Sequence, residues 1–241
     1  MESRNVLQPH EVDTREVMLE ATALDKSYPT PLGPLMVLHG LELRVTRGTI
    51  LAIVGVSGVG KSTLLNILGT LDHADAGRLA VRGVPIQDMG ERELANLRAR
   101  RLGFVFQFHH LLPEFTAEEN VMMPLLIAGE SHASARSRAR EALSLVGLHE
   151  RRLHRPAALS GGEAQRVAVA RALAPEPDLI LADEPSGNLD TASADHLHAL
   201  LASLAHDQHR TLVVVTHNDR LARTADRVLT LRDGRLWPSA E

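Results

Sequence analysis

The stretch Gly55-Val56-Ser57-Gly58-Val59-Gly60-Lys61-Ser62 decides the fold of this 241-residue chain. It follows the apolar run Ile50–Val54 and opens a helix-like run at 62–70, so that a buried strand, a glycine loop and a helix start succeed one another. Glycine lets backbone N–H groups turn toward an anion, and a helix N-terminus adds partial positive charge. Lys61 can reach outer phosphates, and Ser62 can offer its hydroxyl to Mg²⁺. The sequence therefore predicts a phosphate-binding loop for a nucleoside triphosphate.

Composition narrows the class of protein. With 241 residues, of which 44% are hydrophobic, the chain can bury a sizeable core in one domain with a subdomain. The net charge of −4 argues against a protein that binds nucleic acid by bulk charge, and the absence of cysteine excludes disulfides and cysteine-ligated zinc. No run approaches the roughly 18 apolar residues of a membrane-spanning helix, and the N-terminus lacks the apolar segment of a secretory signal. We expect a cytoplasmic protein whose membrane role depends on a partner.

Apolar runs predict the order of strands and helices. Strands are expected at 17–21, 37–45, 50–54, 104–106, 179–182, 212–216 and 228–231, and helices at 62–70, 162–174, 192–206 and 219–225. The later strands are wholly apolar and alternate with helices, which indicates a mostly parallel sheet, whereas the early strands are closely spaced and favour antiparallel pairing. Further helices at 118–127 and 133–146 predict a helical insertion, and we expect Arg136, Arg138 and Arg140 in it to be solvated.

Carboxylates and a histidine follow two of the parallel strands. The run Asp178-Leu179-Ile180-Leu181-Ala182 ends in Asp183 and Glu184, and His217 follows the strand at 212–216. Active groups of parallel sheets gather at the carboxyl ends of strands. Asp183 is placed to hold Mg²⁺, Glu184 to accept a proton from an attacking water, and His217 to bind a terminal phosphate. An alternative is that the acid pair caps the next helix.

A second glycine motif precedes another predicted helix. Ser160, Gly161 and Gly162 stand at a helix start and could form an anion site, or Ser160 could be only an N-cap that forms a capping box with Glu163. Two phosphate-type helix starts in one chain allow the second to serve a nucleotide that is held by another copy.

These motifs, in this order, resemble the ATP-binding cassette (ABC) ATPase family from about residue 18 to residue 236. The resemblance implies an α/β fold with a P-loop NTPase core, an antiparallel β subdomain and a helical subdomain at about 108–158, the whole spanning 17–241 behind a flexible tail at 1–16. It implies a homodimer that binds ATP and Mg²⁺ between the phosphate loop of one chain and Ser160–Gly162 of the other. Nucleotide contacts are expected from Tyr28, Gly55, Ser57, Gly58, Gly60, Lys61, Ser62, Thr63, Ser160, Gly161 and Gly162. Catalytic roles are expected of Lys61, Gln107, Glu184 and His217, and metal contacts of Ser62, Gln107 and Asp183. Tyr28 is expected to stack on adenine, or alternatively to pack on the sheet.

Segment 183–190 is similar to the ABC subgroup that works with mechanotransmitting rather than channel-like membrane partners, and segment 107–127 resembles the ATPases of lipoprotein-releasing systems. That similarity implies a subunit on the cytoplasmic face of the bacterial inner membrane, in contact with permease subunits near Gln107 and along residues 107–115. The alternatives are a macrolide exporter and a cell-division complex of the same subgroup; a cassette that acts on nucleic acid is disfavoured by the lack of basic surplus. Phe108 and Phe115 lie beyond the strand at 104–106, so they either form a socket for a partner or seal the helical segment onto the core. Ala164 and Ser186 depart from the commoner residues of the family without touching a catalytic role.

Overall fold

The computed structural model describes residues 16–239 and contains two sheets. The predicted tail at 1–16 lies outside the described residues except for Glu16, whose carboxylate contacts Arg47 and Arg82. The first sheet is antiparallel in the order β2-β1-β4-β5, with β1 at Val17–Thr30, β2 at Gly33–Thr46, β4 at Ala76–Val81 and β5 at Val84–Pro85.

The second sheet has six strands and is parallel except at one edge. Its order is β10-β9-β3-β8-β7-β6, with β3 at Ile50–Val54, β6 at Leu102–Phe106, β7 at Leu179–Asp183, β8 at Thr211–Val215, β9 at Arg227–Arg232 and β10 at Arg235–Pro238. Among the described strands of this sheet, β10 alone pairs in an antiparallel direction. The predicted α/β class, with a mostly parallel core sheet and an antiparallel β unit, is confirmed.

Seven α-helices pack on these sheets within residues 16–239. They are α1 at Lys61–Leu68, α2 at Glu91–Arg101, α3 at Ala117–Ile127, α4 at His132–Leu145, α5 at Gly161–Leu173, α6 at Thr191–His206 and α7 at Asp219–Ala222. Five begin at a side chain that accepts a backbone hydrogen bond, namely Thr116 before α3, Ser131 before α4, Ser160 before α5, Asp190 before α6 and Asn218 before α7. Both α3 and α4 lie in the range 108–158, and the limits of a separate helical subdomain there stay a prediction.

The parallel sheet buries both of its faces. Ile180 and Ala182 of β7 point into a cluster with α3, α4, α5 and α6, whereas Leu179 and Leu181 point into a second cluster with α1 and the antiparallel sheet. This alternation is the two-residue period of a strand, and it explains why β7 and β8 read as continuous apolar runs. The layers bring the carboxyl ends of β3, β7 and β8 to the edge where α1 begins.

Several elements differ from the sequence prediction. No helix was expected at α2, because this charged segment buries only Leu94, and β4, β5 and β10 were also missed. The arginines of α4 are more than solvated charges. Arg136 and Arg140, four residues apart on one face, both contact the buried carboxylate of Glu118 at 3.4 and 2.8 Å, and so they tie α4 to α3.

Candidate functional site

The loop between β3 and α1 is shaped for an anion. Gly60 is the N-cap of α1 with φ +106°, and a Cβ there would lie 2.5 Å from Cγ1 of Val37, so a side chain is excluded on both counts. No side chain caps α1, which leaves its first N–H groups to a ligand. The Lys61 ammonium lies inside the loop and donates to the carbonyls of Gly55 and Val56 at 2.8 and 3.2 Å.

The predicted metal and catalytic residues converge on one cavity with most of the phosphate loop, although Gly55 does not line it. It has a volume of about 450 Å³, a size that suits a small-molecule site. The residues that line it are Ser57, Gly58, Gly60, Lys61, Ser62, Thr63, Gln107, Asp183, Glu184 and His217. Four segments that are far apart in sequence therefore supply one polar pocket at the carboxyl edge of the parallel sheet.

The side-chain oxygens in this cavity are suitable ligands for a hard cation such as Mg²⁺. Burial raises the pKa of Asp183, Glu184 adds to the rise, and the nearby Ser62 hydroxyl and Lys61 oppose it. Burial makes the charged form of this carboxylate costly in free energy. A bound Mg²⁺, which prefers oxygen ligands such as a carboxylate and a hydroxyl, would offset that cost. Within residues 16–239 no group of three or more acidic, cysteine or histidine side chains is placed to hold a metal ion.

Glu184 is held tightly by the neighbouring strand end. Its Oε1 lies 2.7 Å from Nδ1 of His217, and its Oε2 accepts from the Thr216 hydroxyl at 3.0 Å and the His217 N–H at 3.2 Å. Its backbone has φ +44°, a left-handed conformation that a non-glycine residue keeps only where its surroundings enforce it. The alternative that the acid pair caps the next helix is wrong, because Asp190 caps α6.

Gln107 connects the end of β6 to the turn that follows Glu184. Its Nε2 donates to Oδ1 of Asn188 at 3.2 Å, and Nδ2 of Asn188 donates back to the Gln107 carbonyl at 3.2 Å. Gln107 thus lines the phosphate cavity and is coupled to the turn through Asn188.

Comparisons with known proteins agree with this geometry. Residues 38–187 match the model of the family described as ABC transporter. The chain belongs to the ABC transporter family. It is 52% identical to the lipoprotein-releasing system ATP-binding protein LolD of Porphyromonas gingivalis over 92% of this chain and 99% of that protein. It is 51% identical to the LolD protein of Alcanivorax borkumensis, over 91% and 96%. The structure also resembles the dimeric post-hydrolysis state of the ATP-binding cassette MJ0796 bound to ADP and Pi, with TM-score 0.85, 37% identity and coverage of 93% and 98%.

As an ABC cassette, the chain binds and hydrolyses ATP, which confirms the predicted enzyme class. Among residues 16–239, no helix is long and apolar enough to cross a bilayer.

The glycine motif of this ABC cassette at α5 lies apart from its own phosphate cavity. Ser160, Gly161 and Gly162 are not among the residues that line it. Ser160 forms the capping box that was the alternative interpretation, accepting from the Glu163 N–H at 3.2 Å while Glu163 accepts from the Ser160 N–H at 2.8 Å. A Cβ at Gly162 would come within 2.7 Å of Oγ of Ser193, so α5 approaches α6 closely at this point. The capping box at Ser160 does not conflict with a contact between this motif and a nucleotide that is held by a second copy of the chain.

Tyr28 belongs to a polar cluster that the sequence did not predict. Its hydroxyl donates to Asp72 at 2.7 Å, and Lys26 donates to the same carboxylate at 2.8 Å while its ammonium lies 5.0 Å from the centre of the Tyr28 ring. Hydrogen bonding to Asp72 and burial raise the pKa of Tyr28, and the adjacent Thr63 hydroxyl opposes the rise. Burial would raise the pKa of Asp72, but Lys26, Tyr28 and the His73 N–H lower it overall.

The cluster leaves the Tyr28 ring partly exposed beside the start of α1. The ring does not line the phosphate cavity itself. Lys26 and Asp72 are 46 residues apart, and neither stands in a motif, so no sequence signal pairs them.

Proposed function

We propose that this chain is the ATP-hydrolysing subunit of a bacterial inner-membrane complex that drives the release of lipoproteins from the membrane. It would lie on the cytoplasmic face, held there by permease subunits. Two observations together support the proposal. One cavity contains both Lys61 and Glu184. Over about nine tenths of its length, the chain is about half identical to proteins named for lipoprotein release.

Nucleotide binding follows from the charges and donors of the loop. Lys61 and the free N–H groups of α1 would hold the phosphates, with Ser57, Gly58, Gly60 and Thr63 around them and Tyr28 under the base. Mg²⁺ would neutralise phosphate charge when bound, and Ser62, Asp183 and Gln107 are the residues placed to hold it, directly or through water.

Hydrolysis needs a base beside the terminal phosphate. Glu184 would accept the proton of the attacking water, since its carboxylate is fixed at the cavity wall. His217, which contacts both the cavity and Glu184, would orient the carboxylate and bind the terminal phosphate. Ser160, Gly161 and Gly162 of a second copy would complete the site, so that ATP joins two chains and its cleavage releases them.

The permease contact is proposed along residues 107–115. Phe108 and Phe115 are 64% and 38% exposed, which supports the socket over the alternative that both seal the core. A mostly apolar groove of about 530 Å³ lies between α2, β6, α3 and α5 and contains Phe104, Phe106 and Ile127; the Phe108 ring lies 6.5 Å from that of His110 in its wall. Replacing Phe108 and Phe115 together by Ser should weaken permease binding and leave basal ATPase activity intact; loss of folding would favour the sealing role.

Glu184→Gln tests the chemistry. The variant should retain ATP affinity, lose turnover and accumulate an ATP-bound dimer in size-exclusion chromatography, whereas the exposed Glu150→Gln should match the wild type. Turnover at the wild-type rate would exclude Glu184 as the base.

The cargo is tested separately. Purification of the membrane complex through a tagged chain should recover permease subunits that release lipoprotein from vesicles when ATP is added. Export of a drug, or recovery of a cell-wall hydrolase without released lipoprotein, would instead favour the macrolide-exporter or cell-division alternative.

A further inference from the structure

We propose that His198 is a positioning residue for Glu184 and acts through the hydroxyl of Ser186. Nε2 of His198, on α6, lies 2.9 Å from Oγ of Ser186, and the two side chains are only 4% and 5% exposed. A buried hydrogen bond between side chains fixes its partners more firmly than an exposed one, because water competes less for either partner. The inference rests on the role proposed above for Glu184.

Ser186 is part of the turn that begins at Glu184. The Gly187 N–H donates to the Glu184 carbonyl at 3.0 Å, and the Leu189 N–H donates to the Ser186 carbonyl at 3.2 Å. Gln107 packs against this turn, where a Cβ at Gly187 would lie 2.9 Å from its Nε2. The turn is therefore clamped by contacts with Gln107 at the phosphate cavity and with the buried His198.

Glu184 needs such a clamp because its backbone is strained. A left-handed φ in a non-glycine residue persists only where several contacts enforce it. On the β8 side these contacts are the Glu184 N–H, which donates to the Val215 carbonyl at 2.9 Å, and the bonds from Thr216 and His217 to its carboxylate. The bond between Ser186 and His198 secures the other end of the turn, two residues beyond Glu184.

The surroundings of His198 favour a neutral imidazole ring that forms a hydrogen bond with the Ser186 hydroxyl. A cavity of about 400 Å³ joins His198 and Ser186 to Glu184 and His217. Burial lowers the pKa of His198, Asp195 opposes the fall and Arg220 adds to it. A neutral imidazole has one donor and one acceptor nitrogen, and either can pair with a serine hydroxyl.

Four variants of the full-length chain test the clamp in an ATPase assay with Mg·ATP. Ser186→Ala removes the hydroxyl oxygen, and His198→Phe keeps a buried ring without nitrogen. The variant that combines both changes completes a double-mutant cycle. His198→Gln keeps a polar atom near the place of Nε2. The matched control is His196→Gln, which changes an exposed histidine on the same helix.

We expect Ser186→Ala and His198→Phe each to lower kcat about tenfold while KM for ATP stays within about twofold, because the bond orients the base and not the nucleotide. The double variant should be no slower than the slower single variant, since both remove the same bond. His198→Gln should recover kcat to within about threefold of the wild type, and the control should not differ from it.

Other outcomes overturn the inference. A wild-type kcat with only a lowered melting temperature would mean that the bond is structural, and losses that multiply in the double variant would mean that the two residues act independently. If His198→Phe does not fold, Ser186→Ala decides alone. Retained turnover in Glu184→Gln would instead refute the role proposed for Glu184, whereas lost turnover there with normal kcat in Ser186→Ala would refute only the clamp.

Discussion

Replacing Asn120 by Ala tests how α3 holds the loop proposed to meet the permease. The Asn120 side chain is 1% exposed, and its Oδ1 accepts from the Leu112 N–H at 2.7 Å. Its Nδ2 faces three carbonyls, those of Leu112 at 3.1 Å, Phe115 at 3.1 Å and Thr116 at 3.0 Å. One amide therefore organises the backbone at 112–116.

The cost follows from these contacts. A hydrogen bond contributes about 1 kcal/mol net, and a buried group left without a partner costs about 1–3 kcal/mol. The Leu112 N–H loses its acceptor entirely, while the carbonyls share one donor group and keep partial alternatives. We therefore expect the free energy of unfolding to fall by about 3 kcal/mol, which for a chain of this length corresponds to a melting temperature lower by about 6–12 °C.

Thermal unfolding followed by circular dichroism measures the change, and hydrogen exchange should show faster exchange at 112–116 than elsewhere. Asn96→Ala, at an exposed position on α2, is the control and should stay within about 0.5 kcal/mol of the wild type. A melting temperature of Asn120→Ala equal to that of the control would refute the argument.

Asn120→Asp sharpens the test. This change would place a carboxylate against three carbonyl oxygens, which raises the pKa of that carboxylate. The stability of the variant should therefore recover as the pH falls through the raised pKa. Asn120→Ala should show no such recovery.

Three further predictions concern the nucleotide site. Asp72→Asn should raise KM for ATP about fivefold at unchanged kcat, because the Tyr28 hydroxyl and Lys26 lose their shared carboxylate, as steady-state kinetics will show. Because the pKa of Asp72 is lowered in the folded chain, the wild type should be more stable than this variant above the ordinary aspartate range near about 3.9, and the difference in melting temperature should vanish as the pH falls through the lowered pKa. Gly60→Ala should abolish ATP binding in calorimetry, since its Cβ would meet Val37, whereas Gly90→Ala, where φ is −75° and the nearest atom lies 3.7 Å away, should bind ATP normally.

Much of the fold was present in local sequence patterns. The phosphate loop between β3 and α1 and the acidic end of β7 were placed correctly because strand, turn and helix signals stand next to one another in the chain. The convergence of Lys61, Asp183 and His217 could also be predicted, since parallel strands bring their carboxyl ends to one edge whatever the loops between them do. By contrast, α2 was missed because it buries a single leucine and so has no apolar period.

The sequence by itself determined the class of fold, the phosphate loop and the residues of the catalytic edge, because each depends on neighbouring residues or on a regular sheet. Only the tertiary structure decided which side chains fix these groups: Asp72 under Tyr28, Asn120 behind the loop at 112–116, and His198 behind Ser186. These bonds join residues that are 44, 8 and 12 positions apart, and their polar partners have no period or motif of their own. Burial then makes each bond specific, since a buried polar group without its partner costs free energy that no neighbour in the sequence can restore.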